Sequence, residues 1–134
     1  MTRHQELQAL SREHHGALQL ALKAKRAAMS GDLTQIKVMA TSCIAAFHAE
    51  LDPHFVVEEN TLLPLLAAVG EDKLVTRVEC DHAELRRLSI QLQQSDVKTL
   101  LSFAELLNSH VRFEERELFV VLEALLNVEM RIPR

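Results

Sequence analysis

Apolar residues recur along this chain at intervals of three and four, and the recurrence stops at a few punctuating residues. Leu7, Leu10, His14, Ala17, Leu18, Ala21, Ala24 and Ala28 form one stripe, which Gly31 closes. Asp32 then has the character of an N-cap, with Gln35 three residues on in a capping-box pattern. A second stripe, Ile36, Ala40, Ile44, Phe47 and Leu51, runs into Pro53, which should kink the helix or restart it. Gly70 reads as the next stop. Between Asp72 and Gln94 one face carries Leu74, Val75, Val78, His82, Leu85, Leu88 and Leu92. Ser95-Asp96 reads as a start signal for a last helix over Val97 to Asn127, striped with Leu100, Phe103, Leu107, His110, Phe113, Leu118 and Val121. No stretch alternates with period two. The pattern predicts an all-α, up-down-up-down four-helix bundle.

Composition agrees and narrows the function. At 134 residues the chain has the length of a single domain, 1–134. Hydrophobic residues make up 48% but aromatics only 4%, all Phe, so the core is expected to be Leu, Ala, Val and Ile. A formal net charge of −4 gives no electrostatic support for nucleic acid or an anionic membrane surface as partner. The longest apolar run, Leu62 to Val69, is far too short to span a bilayer and is broken by Pro64. Cys43 and Cys80 cannot build a disulfide framework, and Cys80 is expected to be a small core residue. Met1 to Glu6 lacks the apolar segment of a secretion signal, so a soluble, cytoplasmic protein is expected. P-loop, Rossmann and nucleophile-elbow fingerprints are missing.

The histidines change the picture. There are seven, and His14, His82 and His110 fall on apolar stripes, where leucines cannot satisfy their ring nitrogens. His54-Phe55-Val56-Val57-Glu58-Glu59 and His110-Val111-Arg112-Phe113-Glu114-Glu115 share the pattern H-x-x-x-E-E, followed in both by x-x-Leu. A four-residue spacing puts His and the first Glu on one helix face, so each copy offers a nitrogen and an oxygen to one point. A weaker echo pairs Glu13-His14 with Asp81-His82. The candidate metal ligands are therefore His14, His54, Glu58, His82, His110 and Glu114. His15 is the alternative to His14, because its spacing to Leu18 matches that of His82 to Leu85. Glu115 is the alternative to Glu114, although Glu59 and Glu115 fit better as solvated carboxylates or as ones hydrogen-bonded to a ligand's other nitrogen. His4 is expected to be solvated, and His48 to be structural or to support a ligand. Such a nitrogen and oxygen mixture suits iron or manganese at a dinuclear site, admits zinc, and does not suit calcium.

These residues resemble the hemerythrin-like, or HHE cation-binding, domains over nearly the whole chain. Ser11-Arg12-Glu13-His14-His15 is similar to the first-helix element, His54-x-x-x-Glu58-Glu59 with Leu62 and Pro64 to the second, Asp81-His82-x-x-Leu85-Arg86 to the third, and His110-x-x-x-Glu114-Glu115 to the fourth. The resemblance implies a bundle holding two iron ions bridged by carboxylates and an oxo or hydroxo group. It implies oxygen, nitric oxide or a peroxide as the small-molecule partner; no protein partner is implied. The chain departs from the oxygen carriers of that family. Arg86 stands where they have a second third-helix histidine, and the last carboxylate follows His110 by four residues rather than five. Arg86, one turn from His82, is expected to face the site, pair with a bridging carboxylate or leave a pocket, and keep one metal position open. Binding or sensing is thus favoured over reversible carriage. A redox enzyme of peroxidase or iron-oxidase type is the alternative, with a metal-free helical interaction module behind it.

Overall fold

The computed structural model describes residues 4–131, with the side chains of all but Glu6 and residues 128–131. Residues 1–3 and 132–134, which the sequence reading counts in the same domain, lie outside that range. Helices account for nearly all of it: α1 over Gln5–Met29, α2 over 33–68, α3 over Asp72–Gln91 and α4 over 97–131. The bundle is all-α, as the stripes predict, and α1 packs chiefly against α4 and α2.

The punctuation acts largely as read. Gly31 and Gly70 take φ of 72° and 80°, left-handed values that end α1 and α2 without a Cβ clash. The Asp32 carboxylate accepts the backbone N–H of Thr34 and Gln35, which caps α2. Gln35 completes no capping box, because its amide donates to the Asp32 carboxylate rather than reaching the cap's backbone. Ser95 starts nothing. It takes φ 52° and terminates the 3-10 turn Leu92–Gln94 that follows α3, and Asp96 opens α4 by accepting from the Thr99 hydroxyl.

Pro53 neither kinks α2 into two nor restarts it. The helix widens instead through a π turn, Phe47–Leu51, closed by the Asp52 N–H on the Phe47 carbonyl. A second π turn, Glu58–Leu62, precedes Pro64 in the same way. A proline lacks an N–H and crowds the carbonyl four residues back, and a widened turn absorbs both defects. The third π turn, Glu114–Leu118 in α4, has no proline in the turns next to it. It begins at the first Glu of the second H-x-x-x-E-E copy, as Glu58–Leu62 begins at the first Glu of the other. The repeat therefore extends to backbone form.

Two separate apolar clusters flank a polar layer. One contains Ala17, Ala21, Ala24, Ile36, Cys43, Phe47, Phe55, Leu85, Leu92, Phe103 and Leu107 among others. The other contains Leu7, Leu10, Leu62, Leu66, Val78, Phe113, Leu118, Phe119 and Leu122. Along every helix the histidine or glutamate of the motif falls where one cluster gives way to the other. Each large side chain so buried contributes roughly 1.5–3 kcal/mol, and together they hold the polar layer against water.

Candidate metal centre

Six ionisable side chains meet in that layer as two overlapping groups: His14, His54, Glu58 and Glu114, then Glu58, His82, His110 and Glu114. All are buried, and within each group the candidate ligand atoms lie within 4.8 Å of one another. Each carboxylate faces both groups. Glu58 turns Oε2 to His54 Nε2 at 3.2 Å and Oε1 to His82 Nε2 at 3.1 Å. Glu114 turns Oε1 to His14 Nε2 at 2.8 Å and Oε2 to His110 Nε2 at 3.3 Å. Most of these approaches are poorly aligned for hydrogen bonding. His14, His54 and His110 Nε2, Glu58 Oε2 and both Glu114 oxygens are buried with no hydrogen-bond partner. Buried polar atoms in such number are costly unless something binds them. Two imidazole nitrogens and two carboxylate oxygens at each position form a donor set for a first-row transition metal.

The outer nitrogens are equally ordered. His14 Nδ1 meets Glu115 at 2.6 Å, His54 Nδ1 meets Glu13 at 3.3 Å, His82 Nδ1 meets Glu59 at 2.7 Å and His110 Nδ1 meets Asp81 at 2.9 Å. A carboxylate only accepts, so Nδ1 donates and the Nε2 lone pair is left for a cation. The pairing is internally symmetric. The acid preceding each lone histidine serves the motif histidine of the next helix, and the second Glu of each motif serves the lone histidine of the opposite hairpin. Rings lock the lone histidines in place: Phe55 stacks on His82 with centroids 3.9 Å apart, and Phe119 on His14 at 5.1 Å.

The Hemerythrin HHE cation binding domain family matches residues 4–122. The chain belongs to that family. No curated protein and no solved structure matches it. As a hemerythrin HHE domain it is a cation-binding fold, and the histidine and glutamate groups above are where a metal could be held.

The electrostatics of this HHE domain follow from carboxylates and imidazoles buried together. Burial alone would lower His14, but Glu114 and Glu115 outweigh it and raise the imidazole to about 9. Burial is likewise overcome at His110, where the Glu114 charge and the Asp81 hydrogen bond bring it to about 10. His54 is raised too, with Glu58 overcoming its burial. Burial would raise Glu114, yet the His110 charge and the close approach of His110 and His14 hold it well below its ordinary range. The metal-free site is thus a knot of imidazolium and carboxylate, and a cation entering it displaces protons.

The structure brings together all of His14, His54, Glu58, His82, His110 and Glu114. It turns His15 out to solvent, where the phase of the α1 stripe places it. Glu115 sits behind His14 and outside both groups. His48 is exposed, with its ring edge-on to Phe47, and supports no ligand. Cys80 is exposed, contrary to the expectation of a core residue; Cys43 is the buried thiol, pushed up to about 12 by burial. Arg86 also departs from expectation. Its guanidinium reaches neither Glu58 nor Glu114 but grips Glu59, with Nη1 to Oε2 at 2.8 Å, and donates Nε to Asp52 at 2.8 Å. It acts on the site through Glu59, which holds His82. Sequence reading missed Ser11 and Arg77, which hold Glu115 and Asp81. The signal for Arg77 was its four-residue spacing from Asp81; Ser11 had none. Among the described residues no helix is long and apolar enough to cross a membrane.

Proposed function

We propose that this HHE domain holds two iron ions, bridged by Glu58 and Glu114, and that it binds or senses oxygen, nitric oxide or a peroxide. One observation carries the reading: each buried glutamate presents one oxygen to each of two histidine pairs. His14 and His54 would hold one ion, His82 and His110 the other. Imidazole with carboxylate favours iron or manganese and admits zinc. Iron bound there would supply redox chemistry and coordination positions beyond those the protein fills. The chain itself holds the layer between its two apolar clusters and fixes each ring through Nδ1. Two histidines at each position, where carriers of the family have a third at one of them, support binding that leads to a response or reaction rather than carriage. The single buried thiol and the missing disulfide agree with a cytoplasmic setting.

Metal analysis of the untagged protein with an absorption spectrum tests this. About two iron ions per chain are expected, with charge-transfer bands in a near-ultraviolet region that no Trp or Tyr obscures. A chain that takes up iron at well below one ion, while retaining zinc tightly, would overturn the iron assignment.

A further inference from the structure

The His14 and His54 side of the layer opens onto a half-open cavity of about 440 Å³. Its floor includes His14, His54, His110 and Glu114, and its walls include Ala17, Leu20, Ala46, Phe55, Leu107 and Val111. Exposed Arg12, Gln19, Lys23 and Glu50 line the solvent side. A water occupies about 30 Å³ of liquid, and a diatomic gas or hydrogen peroxide needs little more. The cavity is roughly ten times larger than that, and falls within the range of about 300–1,000 Å³ typical of organic-ligand sites. Gly16 widens it from α1. Glycine inside a helix is unfavourable, and here nothing crowds the position, since a Cβ would meet no atom within 4 Å. No close backbone approach calls for it; what it leaves is room on the cavity wall.

We propose that this cavity receives a small organic hydroperoxide, its apolar body against the alanine, leucine and phenylalanine walls and its oxygen head at the His14 and His54 end. The head's recognition rests on the metal reading above; that of the body does not. Buried polar groups converge at the inner end, charged and polar side chains ring the solvent side, and apolar walls lie between, which fits an apolar body whose polar head enters first. Two walls can be filled independently. Gly16→Leu adds a side chain from α1 at an exposed position, and Ala46→Leu adds one from the half-buried face of α2.

The test uses the full chain and 2-phenyl-2-propanol, the redox-inert alcohol of cumene hydroperoxide, titrated by calorimetry with metal content measured on the same samples. Saturable one-site binding is expected, weakened about ten-fold or more by each leucine. Metal content and azide binding should stay unchanged, and Gly16→Ala should bind as the parent does. Should Ala46→Leu fail to fold, Gly16→Leu still decides, being exposed. Binding that persists after chelation supports the pocket whatever the metal content, so the two readings fail separately. An alcohol that does not saturate, or that binds both leucine variants as it binds the parent, overturns the proposal.

Discussion

The two halves of the candidate centre have matching donor groups and different surroundings. Each offers two histidines and one oxygen from each shared glutamate. Around His82 and His110 the supporting carboxylates are themselves held by cations: Arg86 grips Glu59, and Arg77 donates to Asp81 at 3.1 Å while lying over the Phe113 ring at 4.3 Å. In the internal repeat the His14 and His54 half has no arginine at the matching places. The positions equivalent to Arg86 and Arg77 in the internal repeat are Leu18 and Ala9. Glu115 receives the neutral Ser11 hydroxyl, and the Glu13 side chain is 52% exposed where Asp81 is 11%. The half with the more exposed supporting carboxylate is also the one that meets the cavity. An internally repeated ligand set thus carries two divergent supports: restraint on one side, access on the other.

The largest effect should come from the residues that both halves share. Glu114→Gln removes a charged oxygen from both positions and leaves the buried imidazoles short of counter-charge. Metal content should fall from about two ions to below one, and unfolding by denaturant should shift to lower concentration. His14→Ala or His82→Ala should lose chiefly the ion of its own half. Glu115→Gln, which among the six candidate ligands meets only His14, should cost less than Glu114→Gln. Elemental analysis with the reverse ranking would mean that the fourth-helix ligand is Glu115.

Next comes the arginine clamp. Replacing a group that orients a ligand's outer nitrogen typically costs 10–100-fold in metal affinity. Arg86→Ala should weaken one of two stepwise binding constants by roughly that factor and leave the other nearly unchanged, as read by chelator competition. Arg86→His should behave like alanine, because a shorter imidazole at this place cannot span Asp52 and Glu59 together. A histidine variant that retained metal better than the parent would show that position 86 can turn into the layer after all.

Much of this geometry is legible in the sequence. Helix number, the glycine stops and the inward set followed from spacing, because period 3.6 sorts faces and H-x-x-x-E places two ligands on one of them. His14 over His15 was a matter of phase with Leu7 and Leu10. Arg86 was misread for a reason of length: its Cβ sits one turn from His82, but a guanidinium reaches several ångströms sideways to whichever carboxylate lies there. Spacing cannot choose among Glu58, Glu59 and Asp52. The π turns were hidden too. Two prolines signalled trouble in α2, but nothing in Glu114-Glu115-Arg116-Glu117-Leu118 announces a widened turn.

The pH dependence separates metal-free from metal-loaded protein. His14 at about 9 and His110 at about 10 are raised above the ordinary 6.5, so their imidazolium-carboxylate pairs stabilise the metal-free chain fully below about 6.5. That contribution is lost as pH climbs through 9 to 10. Glu114 works in the opposite sense. Being held low, it stabilises above its ordinary 4.5, and the contribution is lost as acid protonates it. The melting temperature of the metal-free chain should therefore peak between about 4.5 and 6.5 and decline toward pH 10. Loading at neutral pH should release protons, measurable in a weakly buffered titration, and should tighten as pH rises. A flat melting profile across this range, with no proton release, would remove the imidazolium pairs.

The smallest effect discriminates best between the two halves. Ser11 donates its hydroxyl to Glu115 at 2.9 and 3.1 Å, and Glu115 in turn holds His14 Nδ1. A net hydrogen bond of this kind is worth about 1 kcal/mol, or about five-fold in binding. Glu115 is also fixed from the other side, since its own α4 backbone is packed through Phe113, Leu118 and Phe119. Ser11→Ala should accordingly weaken the ion at His14 and His54 by no more than about five-fold. Arg86→Ala, acting through two bonds from a charged donor to Glu59, should do several times more to the ion at His82 and His110. If chelator competition gave the two substitutions equal effects, both halves would be equally restrained. The difference between them would then lie wholly in the cavity.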